Sequence, residues 1–255
     1  MPHPGSPLPR AALPFLCAAA LLVLAGCQVQ VTSPSDKQVA DLKARVASLS
    51  EDWPKLARYR ADNARLGAPA AGQARVVFMG DSITDAWPKN TDFFDRTHYV
   101  GRGISGQTTP QMLARFRQDV IELEPKAVVI LAGTNDIAGN TGPYDQKATE
   151  GNLSSMVELA KAHGIRVVLS SVLPAYDYPW RPGMQPAQKI VALNAWIKAY
   201  ADEHHVVYLD YFSAMVAPNL GLRPELSGDG VHPNARGYAI MEPLAEEAVK
   251  AALAP

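Results

Sequence analysis

Cysteine is nearly absent from this chain. Only Cys17 and Cys27 occur in 255 residues, so residues 28–255 contain none. That long remainder has no thiol for a disulfide, a nucleophile or a cysteine metal site, and its stability rests on its core. Excess charge is absent too. The 24 Lys and Arg residues against 25 Asp and Glu leave a net charge of −1, which provides no basic field for nucleic acid. No glycine-rich phosphate loop is present. The six histidines are His3, His98, His163, His204, His205 and His232, and they lack the spacing and partners of a zinc site. No metal, cofactor or nucleic-acid partner is expected. Long repeats and low-complexity tracts are missing as well.

The longest apolar run, residues 11–26, follows Arg10 and is rich in alanine. A basic residue, a short apolar core and small residues read as a secretory signal peptide, and the run is too short for a membrane span. Leu24-Ala25-Gly26-Cys27 resembles a bacterial lipobox. That resemblance implies cleavage before Cys27 and lipid on its sulfur; the other reading is plain cleavage after Ala25 or Gly26, with Cys27 incidental. Gln28 after the cysteine implies, by the same resemblance, an outer-membrane location facing the periplasm of a Gram-negative cell. The expected organisation is a signal peptide (1–26), a tether (27–35) containing Pro34, a helical spacer or cover (36–67) and a catalytic-sized domain (73–255).

Within the spacer, Val39, Leu42, Val46 and Leu49 recur at helical spacing after Asp36. A second helix is expected from Ser50-Glu51-Asp52-Trp53-Pro54 to about Leu66, stopping at Gly67. From residue 75 the period changes. Strand-like runs at 76–79, 98–100, 127–132, 166–171 and 206–210 alternate with helical patterns near 109–122, 146–163, 187–203 and 234–253. Five strands separated by helices imply a parallel sheet with right-handed crossovers in a three-layer α/β/α sandwich.

Four short blocks stand at the ends of these elements. Gly80-Asp81-Ser82-Ile83-Thr84 follows the first strand. A serine at a strand-to-helix corner serves either as a helix N-cap or as a nucleophile at the carboxyl edge of the sheet, where open α/β sheets bind ligands. Gly101 to Thr109 reads Gly-Arg-Gly-Ile-Ser-Gly-Gln-Thr-Thr, Gly133-Thr134-Asn135-Asp136 follows the third strand, and Asp229-Gly230-Val231-His232-Pro233-Asn234 precedes the last helix. With these four blocks in this order, the chain resembles the SGNH (GDSL) hydrolase family. The resemblance implies a flavodoxin-like form of the α/β/α sandwich and serine esterase or lipase activity without a cofactor. It also implies that Gly106 and Asn135 are the family's glycine and asparagine. Gln107 stands where many relatives carry Asp.

Ester hydrolysis by serine needs a nucleophile, a base, a group that orients the base, and donors for the oxyanion. Ser82 supplies the hydroxyl. His3 lies in the signal; His98, His163, His204 and His205 fall at the opposite edge of the sheet, which leaves His232 as the base. Asp229, three residues earlier, can reach the imidazole Nδ1–H from a tight turn, or form an ordinary Asx turn. The backbone N–H groups of Ser82 and Gly106 and the side-chain amide of Asn135 are the expected oxyanion donors. Asp81 and Asp136 read as scaffold hydrogen-bonders. The proline-rich loop 172–183 carries Tyr176, Tyr178 and Trp180, which either bind substrate or pack the loop onto the scaffold. The expected activity is removal of short acyl groups, acetyl above all, from carbohydrate. A lysophospholipase or thioesterase of the same family, or an acyltransferase using the same site, is the alternative. The expected partners are a small-molecule or polysaccharide ester and, through Cys27, a membrane.

Overall fold

The computed structural model of the protein describes residues 35–254. The expected signal peptide, most of the tether and Cys27 lie outside the described residues. The chain divides into two units at Ala44 and Arg45, within the first helix, α1 (Asp36–Glu51). In the first unit, α1 carries an exposed Lys37–Asp41 ion pair of 3.0 Å. All that follows concerns the second unit.

Here the strands are β1 (Val76–Gly80), β2 (Val100–Gly103), β3 (Ala127–Leu131), β4 (Arg166–Ser170) and β5 (Val207–Leu209). They form one parallel sheet in the order β2-β1-β3-β4-β5. This is the flavodoxin-like order, whose winding reverses between β1 and β3 and opens a crevice at their carboxyl ends. α2 (Arg60–Leu66) precedes the strands; α3 (Ser82–Ala86), α4 (Phe93–Thr97), α5 (Thr109–Asp119), α6 (Thr134–Ile137), α7 (Gln146–Ala162) and α8 (Pro186–Glu203) run between them; and α9 (Tyr211–Met215) and α10 (Ala235–Leu253) follow β5.

Strand side chains alternate between two cores. Val77, Met79, Val128, Ile130, Val167 and Leu169 pack with Met112 and Phe116 of α5, Met156 of α7 and Leu193 of α8. Val76, Phe78, Val129, Leu131 and Val168 pack on the other face with Trp87, Phe93, Tyr238 and Met241. Every residue of β1 and β3 is buried, as expected for strands covered on both faces. The second core holds an aromatic cluster, with Trp87 stacked on Phe93 at 4.8 Å and on Tyr238 at 5.1 Å. Tyr238 of α10 also donates its hydroxyl to Ile83 O of α3 at 2.7 Å, which ties the last helix to the helix after β1.

Two expected elements differ. The second helix, expected from the Ser50-Glu51-Asp52-Trp53-Pro54 stretch to about Leu66, begins only at Arg60. Asp52 accepts instead from Leu56 N and Ala57 N at 2.7 and 2.9 Å, and Lys55 takes a left-handed φ of 56°. The carbonyls of Trp53, Pro54 and Leu56, which a helix would use, accept from the side-chain amides of Gln111, Gln107 and Gln118. Tertiary partners have outcompeted the local ladder. The second strand starts at Val100 rather than His98, because His98 is the left-handed cap of α4.

Beneath the crevice lies a fully buried guanidinium. Arg115 of α5 donates from Nη2 to Gly80 O at 3.0 Å and Arg102 O at 2.8 Å, from Nη1 to Asp119 at 3.0 Å, and from Nε to Gln107 Oε1 at 2.6 Å. It clamps the carboxyl ends of β1 and β2 together. Gly103, at the end of β2, lets α3 seat against that strand. A Cβ there would stand 2.6 Å from Thr84 C and 2.8 Å from Asp81 O and collide with Asp85 N. Because the obstacle is backbone, Gly103→Ala is expected to destabilise the fold by about 3 kcal/mol and to lower kcat with it. Urea unfolding checks this: an unchanged midpoint would show that α3 does not need the close approach.

Candidate active site

Ser82 opens α3 directly after β1. Asp81 is the N-cap, and its carboxylate accepts from Ile83 N at 2.9 Å. That bond turns Asp81 into the scaffold and leaves the next side chain, Ser82, at the crevice. Ser82 Oγ lies 2.9 Å from His232 Nε2 although 150 residues separate them. His232 comes from the loop before α10. Its Nδ1 lies 2.7 Å from Asp229 Oδ2, while Asp229 Oδ1 accepts from Val231 N and His232 N at 2.9 and 2.8 Å. The two uses foreseen for Asp229 are therefore one arrangement: the Asx turn fixes the carboxylate, and its second oxygen meets the imidazole. Ser227, which the sequence reading missed, closes this turn. Its Oγ accepts from Gly230 N at 2.9 Å and lies 2.8 Å from His232 O. The only signal for it is a hydroxyl residue two positions before Asp229.

Electrostatics suit the pairing. Burial by itself raises the Asp229 carboxyl, but the hydrogen bonds from His232 and Val231 outweigh it and hold the pKa at about 2. An ionised Asp229 keeps the proton on Nδ1 and leaves Nε2 free to accept from the Ser82 hydroxyl. Asp81 and Asp136 behave oppositely. Burial pushes both up to about 6, against hydrogen bonds from Ile83 to Asp81 and from Thr109 to Asp136.

Gly106 sits in the turn after β2. Gln107 N donates to Ile104 O at 3.2 Å, and Gly106 has a φ of +81°, which glycine adopts without strain. Asn135 stands at the start of α6, across the switch point from Ser82. One N–H of its amide donates to Gln107 O at 3.0 Å, which leaves the second for the crevice. Asn140 is a further residue the sequence reading missed. Its amide donates to Gly106 O at 3.0 Å and to Asn135 Oδ1 at 2.8 Å, so it locks the orientation of the Asn135 amide. Asn140 lies five residues past Asn135, beyond the block that drew attention.

A cleft of about 340 Å3 is lined by Ser82, Ser105, Gly106, Asn135, Asn140, Trp180 and His232. The three loop aromatics separate. Trp180 is 42% exposed and its ring lies 5.9 Å from the His232 ring. Tyr176 is 63% exposed but lines a neighbouring groove rather than this cleft. Tyr178 is fully buried, stacked under Trp180 at 5.0 Å with its hydroxyl 2.9 Å from Thr134 Oγ1. Of the two uses expected of these aromatics, Tyr178 takes the packing one: it supports Trp180, and its hydroxyl finds a partner inside the protein. Among the described residues no group of three or more His, Cys, Asp or Glu stands together to hold a metal ion.

A sequence model of the GDSL-like Lipase/Acylhydrolase family matches residues 78–240, which hold all four blocks. The chain belongs to that family. It is a carboxylic ester hydrolase. A crystal structure of a GDSL-like lipase from Bacteroides thetaiotaomicron is 50% identical, covers 78% of this chain and 99% of its own, and superposes with a TM-score of 0.76. A Bacteroides fragilis structure, also 50% identical and covering 80% of this chain and all of its own, superposes with a TM-score of 0.79. Among curated relatives, a lipoprotein of Bacillus subtilis is 38% identical over 44% of this chain and 53% of its own length. The thioesterase 1/protease 1/lysophospholipase L1 of Escherichia coli K12 is 28% identical over 65% of this chain and 78% of its own. An acetylxylan esterase of Geobacillus stearothermophilus is 27% identical over 66% and 90%.

The elevated Asp81 sets a pH dependence for the GDSL hydrolase fold. Its folded pKa of about 6 exceeds the model-peptide value of 3.8, so the native state holds the proton more tightly. The stabilisation is complete below the unfolded pKa and is lost as pH rises through about 6, up to about 3 kcal/mol. Asp81→Asn removes this titration. The Tm of Asp81→Asn relative to wild type is expected to climb between pH 4 and pH 7. A difference that stays flat across that range would contradict the buried, proton-retaining Asp81.

Proposed function

We propose that Ser82 is the nucleophile, His232 the general base and acid, and Asp229 the residue that orients it. Ser82 Oγ attacks the ester carbonyl and its proton passes to His232 Nε2. The backbone N–H groups of Ser82 and Gly106 and the free N–H of Asn135 stabilise the oxyanion. Collapse expels the alcohol, which takes the proton from His232. Water then attacks the acyl-enzyme through the same base, releasing the acid and restoring Ser82.

The acyl group is short, acetyl above all, and its carrier is a carbohydrate. The observation that carries this reading is the lining of the cleft: Trp180 is its one large apolar side chain, and the other lining residues are polar or glycine. Each buried methylene of a longer chain would contribute about 0.8 kcal/mol against an apolar wall, and this cleft offers almost none. The exposed faces of Trp180 and Tyr176 suit sugar rings. Tyr176 overlooks a groove of about 570 Å3 that also includes Asp177, Asn219 and Asp229, on the outer side of the catalytic turn. The Geobacillus relative's name points the same way. The Escherichia coli relative's name favours a second reading, hydrolysis of lipid or thioesters. Partition of the acyl-enzyme to an added alcohol distinguishes an acyltransferase.

Initial rates on p-nitrophenyl acetate, butyrate, octanoate and palmitate, beside acetylated xylan, test the choice. Activity is expected on acetate and on the polysaccharide and to fall steeply beyond butyrate; a maximum at octanoate or longer would move the assignment to lipid or thioester hydrolysis. Ser82→Ala is expected to lose at least about 10³-fold in kcat with an unchanged Tm. Retained turnover would remove Ser82 as nucleophile.

We also propose that the enzyme is lipid-anchored at Cys27, on the outer membrane facing the periplasm. The lipobox-like Leu24-Ala25-Gly26-Cys27 and the lipoprotein relative support this, and a stable anchor needs two or more acyl chains. No helix of the described residues is long and apolar enough to cross a membrane. Cys27→Ala is expected to shift the protein from the membrane fraction to the soluble one and to abolish palmitate labelling; a variant still membrane-bound beside a wild type that takes no palmitate label would overturn the anchor.

A further inference from the structure

The segment ahead of the family core makes contacts that a spacer has no need for. Three consecutive glutamine partners read its backbone. Gln107 Nε2 donates to Pro54 O at 2.7 Å, Gln111 Nε2 to Trp53 O at 2.8 Å, and Gln118 Nε2 to Leu56 O at 2.7 Å. Tyr59 donates its hydroxyl to Gly103 O. Asn63 donates to Gln118 O at 3.0 Å and accepts from Arg102 Nε at 2.8 Å. All of these residues, from Trp53 to Asn63, precede the stretch that matches the family, residues 78–240.

One of these bonds reaches the chemistry. Gln107 is the last residue of the turn that holds Gly106, and it is 1% exposed. Its side-chain nitrogen holds Pro54 O, its side-chain oxygen accepts from Arg115 Nε at 2.6 Å, and its main-chain oxygen accepts from Asn135 at 3.0 Å. Arg115 in turn holds Gly80 O and Arg102 O, at the strand ends that launch Ser82 and the Gly106 turn. Gln107 thus joins the N-terminal segment to the clamp under β1 and β2 through its buried side-chain amide, and the Gly106 turn to Asn135 through its main-chain carbonyl, reaching two of the three candidate oxyanion donors. An amide can meet both demands because it is donor at one end and acceptor at the other.

We infer that Gln107 is a positioning residue for ester hydrolysis and that residues 53–63 are a working part of the active site, holding the Gly106 turn in place from behind. Oxyanion donors act through preorganisation, and a displacement of about 1 Å can cost as much as 10²-fold in rate. The segment acts on kcat through the turn and touches no substrate. The inference rests on the oxyanion roles of Gly106 and Asn135, and the experiment separates the two.

The test uses the full chain and p-nitrophenyl acetate, with kcat, KM and Tm measured for each variant. Gln107→Glu keeps the side-chain volume and the bond to Arg115 but sets a carboxylate oxygen against Pro54 O. It is expected to lower kcat about tenfold with KM within about twofold of wild type. Gln107→Ala, which loses both side-chain bonds, is expected to lose more. Gln118→Ala removes a bond to the same segment at Leu56, away from the turn, and is expected to lower Tm while leaving kcat unchanged. Wild-type kcat in Gln107→Glu, or an equal loss in Gln118→Ala, overturns the inference. Asn135→Ala reports on the reading beneath it. Full kcat there means that the oxyanion assignment itself is wrong; a large loss there beside an intact Gln107→Glu means that only the positioning role fails.

Discussion

Everything at the crevice depends on how a buried positive charge is satisfied. A guanidinium taken out of water is expensive unless its N–H groups find acceptors. Arg115 places four of its five N–H groups, on the carbonyls of Gly80 and Arg102, the carboxylate of Asp119 and the amide oxygen of Gln107. Three of those four lie at or next to elements that carry reacting groups. The geometry that satisfies the charge is therefore also the geometry that fixes Ser82 relative to the Gly106 turn. A hydrophobic side chain at this position would fill the volume, but it would leave the strand ends with no common anchor.

The same economy recurs at the other two corners. Asp229 satisfies two backbone N–H groups of its own turn with one oxygen and the His232 ring with the other. Asn140 spends its amide on Gly106 O and Asn135 Oδ1. Each polar side chain has a structural and an orienting use at once, so a reading of either use as merely a turn or merely a catalytic contact is incomplete. Such saturation fits a site that must be rigid before the substrate arrives. It also explains why the cleft is polar: the groups that hold the donors in place line it.

The aromatic residues of the 172–183 loop divide between burial and the cleft. Tyr178 bonds Thr134 and is buried, whereas Trp180 stacks on it and faces His232. Arg181 pins the loop by donating to Ala138 O and Gly139 O, both at 2.8 Å. The result is one supported aromatic wall beside His232.

Much of this was written locally. Alternation of β-branched runs with helical periods set a parallel sheet between helix layers, because strands covered on both faces must be apolar throughout and their crossovers need helices. Four short blocks, three of them after strands and one before the last helix, marked Ser82, Gly106, Asn135, Asp229 and His232 through their resemblance to the family. What distant partners decided could not be read in this way. The helix expected from the 50–54 stretch to about Leu66 lost its first turns and begins at Arg60, because glutamines of α5 and the Gly106 turn hold the carbonyls of Trp53, Pro54 and Leu56. Tyr178 was withdrawn from the cleft by Thr134, and Asn140 acquired its orienting role only when folding brought it to Gly106. Local periodicity determines which backbone ladder is available; which polar atoms abandon it is decided by the partners that folding brings near.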